Sequence, residues 1–417
     1  MRSVRVFRRL LGVERTVIES VELTVEDDEE VVLARVRPDR HARSRCSRCG
    51  RGCPRHGSGT EQRRWRTLDL GTVRTFLICD THRVECVEHG VVVAAVPWAR
   101  PAAKHTYAFE DTCAWLAAHT PFSVVSRLLR VSWRTVNGIV TRVVADLAGK
   151  TDQLDGLRRI GIDEIAHRKG HRYLLVVVDH DTGRLVWAAP GRDSATLERF
   201  FDDLGTKRAR QLRHVTADGA EWIHTVVAAR AKKAKLSLDP FHAVAWATKA
   251  LDEVRRGLWN ELRGKGKAEQ AATLKGTRWA LVKNPEDLNP DQRGALAQIA
   301  RTNNGLYRAY LLKEQMRMIF QARGARAVQL LDGWLTWARR SRLPAFVKLA
   351  KTIEKYRPLI LNTLRSRLSN AKSEATNTHL RVLTRRAYGY HSPEALIAMA
   401  MLTRGGLCPD LPDRTAA

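Results

Sequence analysis

Residues 160 to 180 read Ile160-Gly-Ile-Asp-Glu-Ile-Ala-His-Arg-Lys-Gly-His-Arg-Tyr-Leu-Leu-Val-Val-Val-Asp-His180. Two strand-like runs, Arg159–Ala166 and Tyr173–Val178, flank a basic turn at Lys169-Gly170. Asp163 stands among apolar, β-favouring neighbours in the first run, and Asp179 ends the second. A carboxylate in the middle of a buried strand is costly unless something compensates it. An isolated Asp here would be salt-bridged to Arg168 or Arg172. A second strand–Asp unit, Arg213-His-Val-Thr-Ala-Asp218-Gly219, points further. With Glu374 in a helical stretch near the C-terminus, Asp163 and Asp218 make a three-carboxylate site. Carboxylates that converge from separate elements are the usual means of holding Mg²⁺ or Mn²⁺ for phosphoryl transfer.

The chain has 417 residues, too many for one compact core. Its 72 Lys and Arg against 44 Asp and Glu leave 72 − 44 = +28, a basic excess that implies a polyanionic partner, foremost nucleic acid. Hydrophobic content of 44% excludes a disordered chain. No apolar run reaches membrane-spanning length, and the basic N-terminus lacks the apolar core of a signal peptide. Seven Cys cannot all pair within the chain, which fits a reducing cytoplasm.

Around this centre the chain divides into modules. Val4 to Val36 reads as short half-exposed strands. Cys46-Ser-Arg-Cys49-Gly50 is a zinc-knuckle sequence, and Cys86-Val-Glu-His89-Gly90 repeats its spacing with His last. The expected Zn²⁺ ligands are therefore Cys46, Cys49, Cys86 and His89, with Cys53, His56, Cys79 and His82 as competitors. Between the knuckles, Trp65–Gly71 and Thr72–Cys79 read as two strands of a zinc ribbon. Past Pro97–Pro101 the periodicity is helical over Phe109–Ala118, Pro121–Arg130 and Ser132–Val144, with Ser132 as an N-cap. The last two make a helix-turn-helix whose second helix carries Arg134, Asn137 and Arg142 on polar positions, facing DNA.

From Gly156 the order is three strands, the helix Ser194–Leu204, the strand His214–Ala217, the helix Glu221–Lys232 and the strand Lys235–Asp239. That is a ribonuclease-H-like mixed sheet flanked by helices. Ala243 to about Ser366 carries almost no strand signal and reads as an all-helical insertion. The returning helix holds Glu374, Asn377 and Arg381 on one face, so Asn377 and Arg381 are candidates for DNA phosphate. Glu164 points away from Asp163 towards a basic partner, and Asp179, Asp239 and His242 are turn or helix caps or supports of the site. The α/β multidomain partition is 1–100 zinc-binding, 101–150 helix-turn-helix, 151–245 catalytic, 246–366 helical insertion, 367–405 returning helix and 406–417 tail.

Taken in order, these features resemble the DDE transposases of bacterial insertion sequences, specifically the ISL3 family. The resemblance rests on the Cys46/Cys49 and Cys86/His89 finger, the helix-turn-helix, Gly161-Ile-Asp-Glu-Ile-Ala with Lys169-Gly-His-Arg-Tyr, Asp218, Asp239-Pro-Phe-His242, and Glu374 with Asn377 and Arg385-Arg-Ala-Tyr-Gly-Tyr390. It implies that Asp163, Asp218 and Glu374 are the catalytic acids, with a helical insertion between the second and third. His89 stands where many relatives have Cys. A transposase of this kind would bind the terminal inverted repeats of its element and target double-stranded DNA. It would cut and join strands with water and then a 3′-hydroxyl as nucleophile, at least as a dimer, in the bacterial cytoplasm and on the nucleoid. A tyrosine nucleophile at Tyr388 or Tyr390 lacks the paired His-x-His motif it would need. The alternative is an inactive relative that only binds DNA.

Overall fold

The computed structural model describes residues 2–411 other than Lys169 and Tyr388, with side chains from Phe7 and its neighbour Val6 onward. The basic turn at Lys169, Tyr388 and residues 412–417 of the expected tail lie outside the described residues. The chain folds as two compact units. One comprises residues up to Asp152 together with those from Arg385 on; the other is Gln153–Thr384.

The first unit opens with α1 (Arg2–Leu10), then β1 (Thr16–Glu26), β2 (Glu29–Pro38), β3 (Arg55–Arg66), β4 (Arg74–Cys86) and β5 (Gly90–Val93). The sheet runs β1-β2-β4-β3 with β5 on β4. Residues 2–10 are helical where strand was expected: Phe7 and Leu11, one helical turn apart, enter the same apolar cluster as Trp65 and Leu77. Asp27 and Asp28 both have positive φ and join β1 to β2 by a two-residue turn, which matches strand twist. The ribbon strands are also displaced from expectation, since β3 occupies Arg55–Arg66 and residues 67–73 form the connection. Its residues 55–64 are nearly all polar and exposed, so no apolar alternation marks that strand.

Three helices follow: α2 (Tyr107–His119), α3 (Phe122–Leu129) and α4 (Trp133–Lys150). Ser132 caps α4 as expected, accepting from Thr135 N at 3.1 Å. Arg130 ends α3 in the left-handed region (φ 52°), which turns the chain sharply into α4.

The second unit holds β6 (Arg159–Arg168), β7 (Arg172–Asp179), β8 (Leu185–Pro190), α5 (Ser194–Ala209), β9 (His214–Ala217), α6 (Glu221–Arg230) and β10 (Lys235–Leu238), element for element the expected order. The sheet runs β10-β9-β6-β7-β8, parallel from β10 through β6 and antiparallel beyond. Leu197, Phe200, Phe201 and Leu204 of α5 and Ile223, Val226 and Val227 of α6 bury against Ile160, Ile162, Leu175 and Val177.

Eight helices then follow: α7 (Pro240–Gly264), α8 (Ala268–Gly276), α9 (Arg278–Val282), α10 (Pro290–Thr302), α11 (Asn304–Gln321), α12 (Gly324–Arg340), α13 (Pro344–Lys355) and α14 (Arg357–Ser366). They have their own core about Trp334, whose Nε1–H donates to Leu312 O at 2.8 Å. Asn362 and Thr363 of α14 donate to Leu236 O and Leu238 O at 2.8 and 2.6 Å, and so cover the edge strand β10. The helix α15 (Ala371–Arg386) returns to the sheet.

The last helix, α16 (Pro393–Arg404), packs on α4 and α2 of the first unit. Residues from Arg385 on thus join that unit, not the catalytic one expected for 367–405. The cause is an apolar face, Leu396, Met399, Ala400 and Leu402, all buried. Phe200 is fully buried in the sheet core, so Phe200→Ala should cost about 3–5 kcal/mol by loss of transfer energy and a residual cavity. Urea unfolding of the full chain followed by Trp fluorescence checks this.

Candidate functional site

Alternation along β6 sends Ile160 and Ile162 into the core beneath α5 and α6, and turns Gly161 and Asp163 to the other face. There α15 lies so close that a Cβ on Gly161 would stand 2.5 Å from Ser373 Oγ. Neighbouring β9 runs parallel with Thr216 opposite Gly161. Asp218 follows Thr216 by two residues, as Asp163 follows Gly161, so the parallel register brings both acids to one end of adjacent strands. Gly219, next to Asp218, leaves room for Trp246: a Cβ there would lie 2.5 Å from its ring.

Asp163 accepts from Glu164 N at 2.7 Å and from Asn377 Nδ2 at 2.9 Å. Burial pushes its carboxyl up to about 6; the Glu164 N–H opposes that, and the charges of Asp218 and Asp239 add to it, while His242 lowers it. Asp218 accepts from Ala220 N at 2.9 Å, which fixes one carboxylate oxygen. Asp239 closes β10, fully buried, with one oxygen accepting from Asn370 N at 3.2 Å and the other 3.3 Å from His242 Nδ1. That bond raises the pKa of His242, with Asp218, Asp239 and Asp163 reinforcing it against burial.

Glu374 stands in the first turn of α15, exposed, with its N–H donating to Asn370 O at 2.7 Å. Its pKa is raised by desolvation and then by Asp239, with His242 opposing. Asp163 and Glu374 therefore share Asp239 and His242 as electrostatic neighbours. Among the described residues the three acids do not bring their oxygens within 4.8 Å of one another. The donor set is all oxygen, and Asn377 Oδ1, buried beside Asp163, has no hydrogen-bond partner. Hard divalent cations take such oxygens.

One neighbour has a role other than the one its sequence position suggested. Asn377, expected on DNA, is buried and bound to Asp163, because the i+3 position from Glu374 turns inward here. Arg381 is exposed. Glu164 pairs with Arg192, as its opposite facing requires. Asp179 caps its own turn through Asp181 N and Thr182 N at 2.9 and 3.2 Å. Nothing in the sequence singles out Thr216 or His180; Asn370 offers one signal, its place just before a helix, where Asn commonly caps.

In the first unit Cys46, Cys49, Cys86 and His89 form the expected cluster, all four ligand atoms within 4.8 Å of one another. Cys49 Sγ lies 3.7 Å from Cys86 Sγ, and His89 Nδ1 lies 3.8 and 3.6 Å from the sulfurs of Cys46 and Cys86. A tetrahedral zinc with Zn–S of about 2.3 Å and Zn–N of about 2.0–2.1 Å needs edges of about 3.8 and 3.6 Å, so the residues fit the ion. Gly50 and Gly90, with φ of 71° and 66°, let each knuckle fold back. Burial raises the Cys86 thiol, but the N–H groups of Glu88 and His89 bring it down to about 7, favouring the thiolate. Of the competing residues, Cys79 is buried with its pKa pushed up to about 11, His82 bonds Ser44 and His56 pairs with Glu85; Cys53, which donates to Arg51 O, stays beside Cys86 but outside the group of four.

On the helix-turn-helix, Arg134 is exposed. Asn137 lines a cavity of about 500 Å³ with Trp133 and Arg127. Arg142 has an internal partner: its guanidinium, partly exposed, donates to Glu110 Oε1 at 2.8 Å. Glu110 is wholly buried and needs two cations, and Arg100 supplies the other at 3.3 Å.

A family model described as "Transposase" matches residues 160–400, and one described as "Helix-turn-helix domain of transposase family ISL3" matches residues 94–144. The chain is 52% identical to the transposase for insertion sequence element IS1557 of Mycobacterium tuberculosis, over 99% of this chain and 98% of that protein. It is 29% identical to the transposase for insertion sequence element IS1001 of Bordetella parapertussis, over 84% and 86% of the two chains.

The Glu110 network separates structural from surface arginines. Arg142→Ala leaves a buried carboxylate half-compensated and should destabilise the first unit by about 3–5 kcal/mol. Arg134→Ala should shift stability by less than about 0.5 kcal/mol. Paired thermal melts of the two variants decide the assignment.

Proposed function

This chain belongs to the ISL3 family of transposases, and we propose that it binds the terminal inverted repeats of its own insertion sequence and catalyses divalent-metal-dependent strand cleavage and transfer at Asp163, Asp218 and Glu374. The observation that carries the reading is the parallel register that puts Asp163 and Asp218 at one end of adjacent strands, with α15 laid across them at Gly161. The sheet order, with three antiparallel strands followed by two parallel ones, supports a ribonuclease-H-like catalytic domain.

Asp163, Asp218 and Glu374 would hold Mg²⁺ or Mn²⁺, which when bound supplies Lewis-acid stabilisation of the phosphate and a more acidic water. The protein's part is to orient its acids. Asn377 and the Glu164 N–H fix both oxygens of Asp163, and the Ala220 N–H fixes Asp218. In the first step a water oxygen attacks phosphorus, the P–O3′ bond breaks, and the 3′-oxygen leaves as a hydroxyl. In the second step that 3′-hydroxyl attacks a target phosphodiester, and a target 3′-oxygen departs. Both displacements pass through the same kind of pentacoordinate phosphate, so one site serves both without a protein–DNA covalent bond.

Zn²⁺ at Cys46, Cys49, Cys86 and His89 would hold the finger, leaving the helix-turn-helix, with Arg134 exposed, to read the repeat. Arg381 would meet DNA phosphate. Joining two ends calls for at least two copies of the chain on DNA. The described helices include none long and apolar enough to cross a membrane.

The test is Mn²⁺-supported cleavage of a DNA fragment carrying the element's end. Glu374→Gln should bind the fragment as wild type does and cleave it at background. Cleavage that persists would move the third acid to another helix. Elemental analysis should find zinc stoichiometric with the chain, and Cys49→Ser should lose it. Wild-type zinc content in that variant would overturn the ligand set.

A further inference from the structure

Resting on the three-acid reading, we propose that Asn370, clamped by Thr216 and Asp239, is a positioning residue that sets Glu374 relative to Asp163 and Asp218. Glu374 is 374 − 218 = 156 residues past Asp218, across an entire helical block. Packing within that block cannot itself fix α15 to the ångström against the sheet, so something must.

One buried crossing point does so. Thr216 Oγ1–H donates to Asn370 Oδ1 across 154 residues, and both side chains are wholly buried. Having given its only proton there, the Thr216 hydroxyl accepts from His180 Nε2–H at 2.7 Å. Asn370 N–H donates to Asp239 Oδ1 at 3.2 Å, and Asn370 C=O accepts the N–H of Glu374 at 2.7 Å. One residue thus grips β9 with its side chain, the end of β10 with its amide, and the third acid with its carbonyl.

The register makes the arrangement a gauge. Thr216 stands opposite Gly161 in the parallel pair β6–β9. Asp163 lies two residues beyond Gly161, Asp218 two beyond Thr216, and Glu374 four beyond Asn370, one helical turn. All three acids are therefore counted off short, rigid steps from the same point. Two further contacts seat the helix at that point: Ser373 Oγ fills the space a Gly161 side chain would take, and Lys372 Nζ donates to His180 O at 2.6 Å. Asp239 has a second duty, since its other oxygen holds His242, which faces Asp163, Asp218 and Glu374.

The experiment titrates Mn²⁺ in the end-cleavage reaction with full-length protein, and measures end binding by gel shift alongside. Thr216→Val keeps the shape and removes the hydroxyl. Its half-saturating Mn²⁺ concentration should rise about tenfold or more, the range seen when the support of a metal ligand is lost, with end binding unchanged. Thr216→Ser restores the hydroxyl and should titrate as wild type. A Thr216→Val protein with wild-type Mn²⁺ dependence overturns the proposal, as does a rate loss shared equally by Val and Ser at every Mn²⁺ concentration. Should Thr216→Val fail to fold, a second pair decides. Gly161→Ala should displace Ser373 and raise the Mn²⁺ requirement, and adding Ser373→Ala should recover part of it; a double variant as impaired as the single one counts against the gauge. Glu374→Gln distinguishes the two layers. If it cleaves as wild type, the three-acid reading fails and the gauge with it. If it is inactive while Thr216→Val titrates normally, only the gauge falls.

Discussion

A parallel strand pair seen from one face is the constraint behind the second unit. Because β6 and β9 run parallel with Gly161 opposite Thr216, their buried even and odd faces are fixed together. One face carries Ile160, Ile162, Val215 and Ala217 into the core beneath α5 and α6; the other exposes Gly161, Asp163 and Thr216 to α15. A slip of β6 by one residue would turn Asp163 into hydrocarbon and its isoleucines towards the site, parting it from Asp218. The apolar core and the acid site thus require the same register. Core packing is what guarantees it, since the buried isoleucines and phenylalanines contribute several kcal/mol each where a hydrogen bond contributes about 1.

The first unit adds a second device, a buried ionic network, to the packing of its DNA-binding helices. α2 is tied to α4 through charge as well as packing: Arg100 bonds Glu110, Asp111 and Asp146, and Arg142 completes Glu110. Such a network is costly to desolvate and costly to break, so it specifies one arrangement of the helices more than it stabilises them. The finger works likewise. Four ligands from two knuckles some 40 residues apart can close on one ion only when β4 and the preceding loop are correctly placed.

Much of this was legible in sequence. The order of strands and helices from Arg159 to Leu238 follows from clean period-2 and period-3.6 patterns, and the zinc ligands from CxxC and CxxH spacing. What stayed hidden was hidden for physical reasons. Strand β3 is an exposed polar strand, and such a strand carries no hydrophobic alternation. α1 is short, and its helical period shows only at Phe7 and Leu11. Arg142 and Asn377 look like DNA contacts because polarity on a helix signals a face but not what the face meets; one meets Glu110 and the other Asp163. The union of α16 with the N-terminal unit depends on a contact between sequence extremes that no local pattern encodes.

The long interval before Glu374 shows why fine placement had to be local. Closing a flexible loop of 156 residues costs only about 2 kcal/mol more than closing one of about 20, because the penalty grows as the logarithm of length. Here the interval is itself a folded helical block with its own core, so the effective loop is shorter still. Inserting it is therefore thermodynamically cheap. Geometrically it is not, since errors accumulate over eight helices and catalysis needs tolerances of a fraction of an ångström. Hydrogen bonds made at the sheet, from Thr216 to Asn370, from Asn370 to Asp239 and from Asn377 to Asp163, reset that error where it matters. The insertion is then free to vary in length and surface so long as α14 covers β10 and α15 reaches its seat at Gly161.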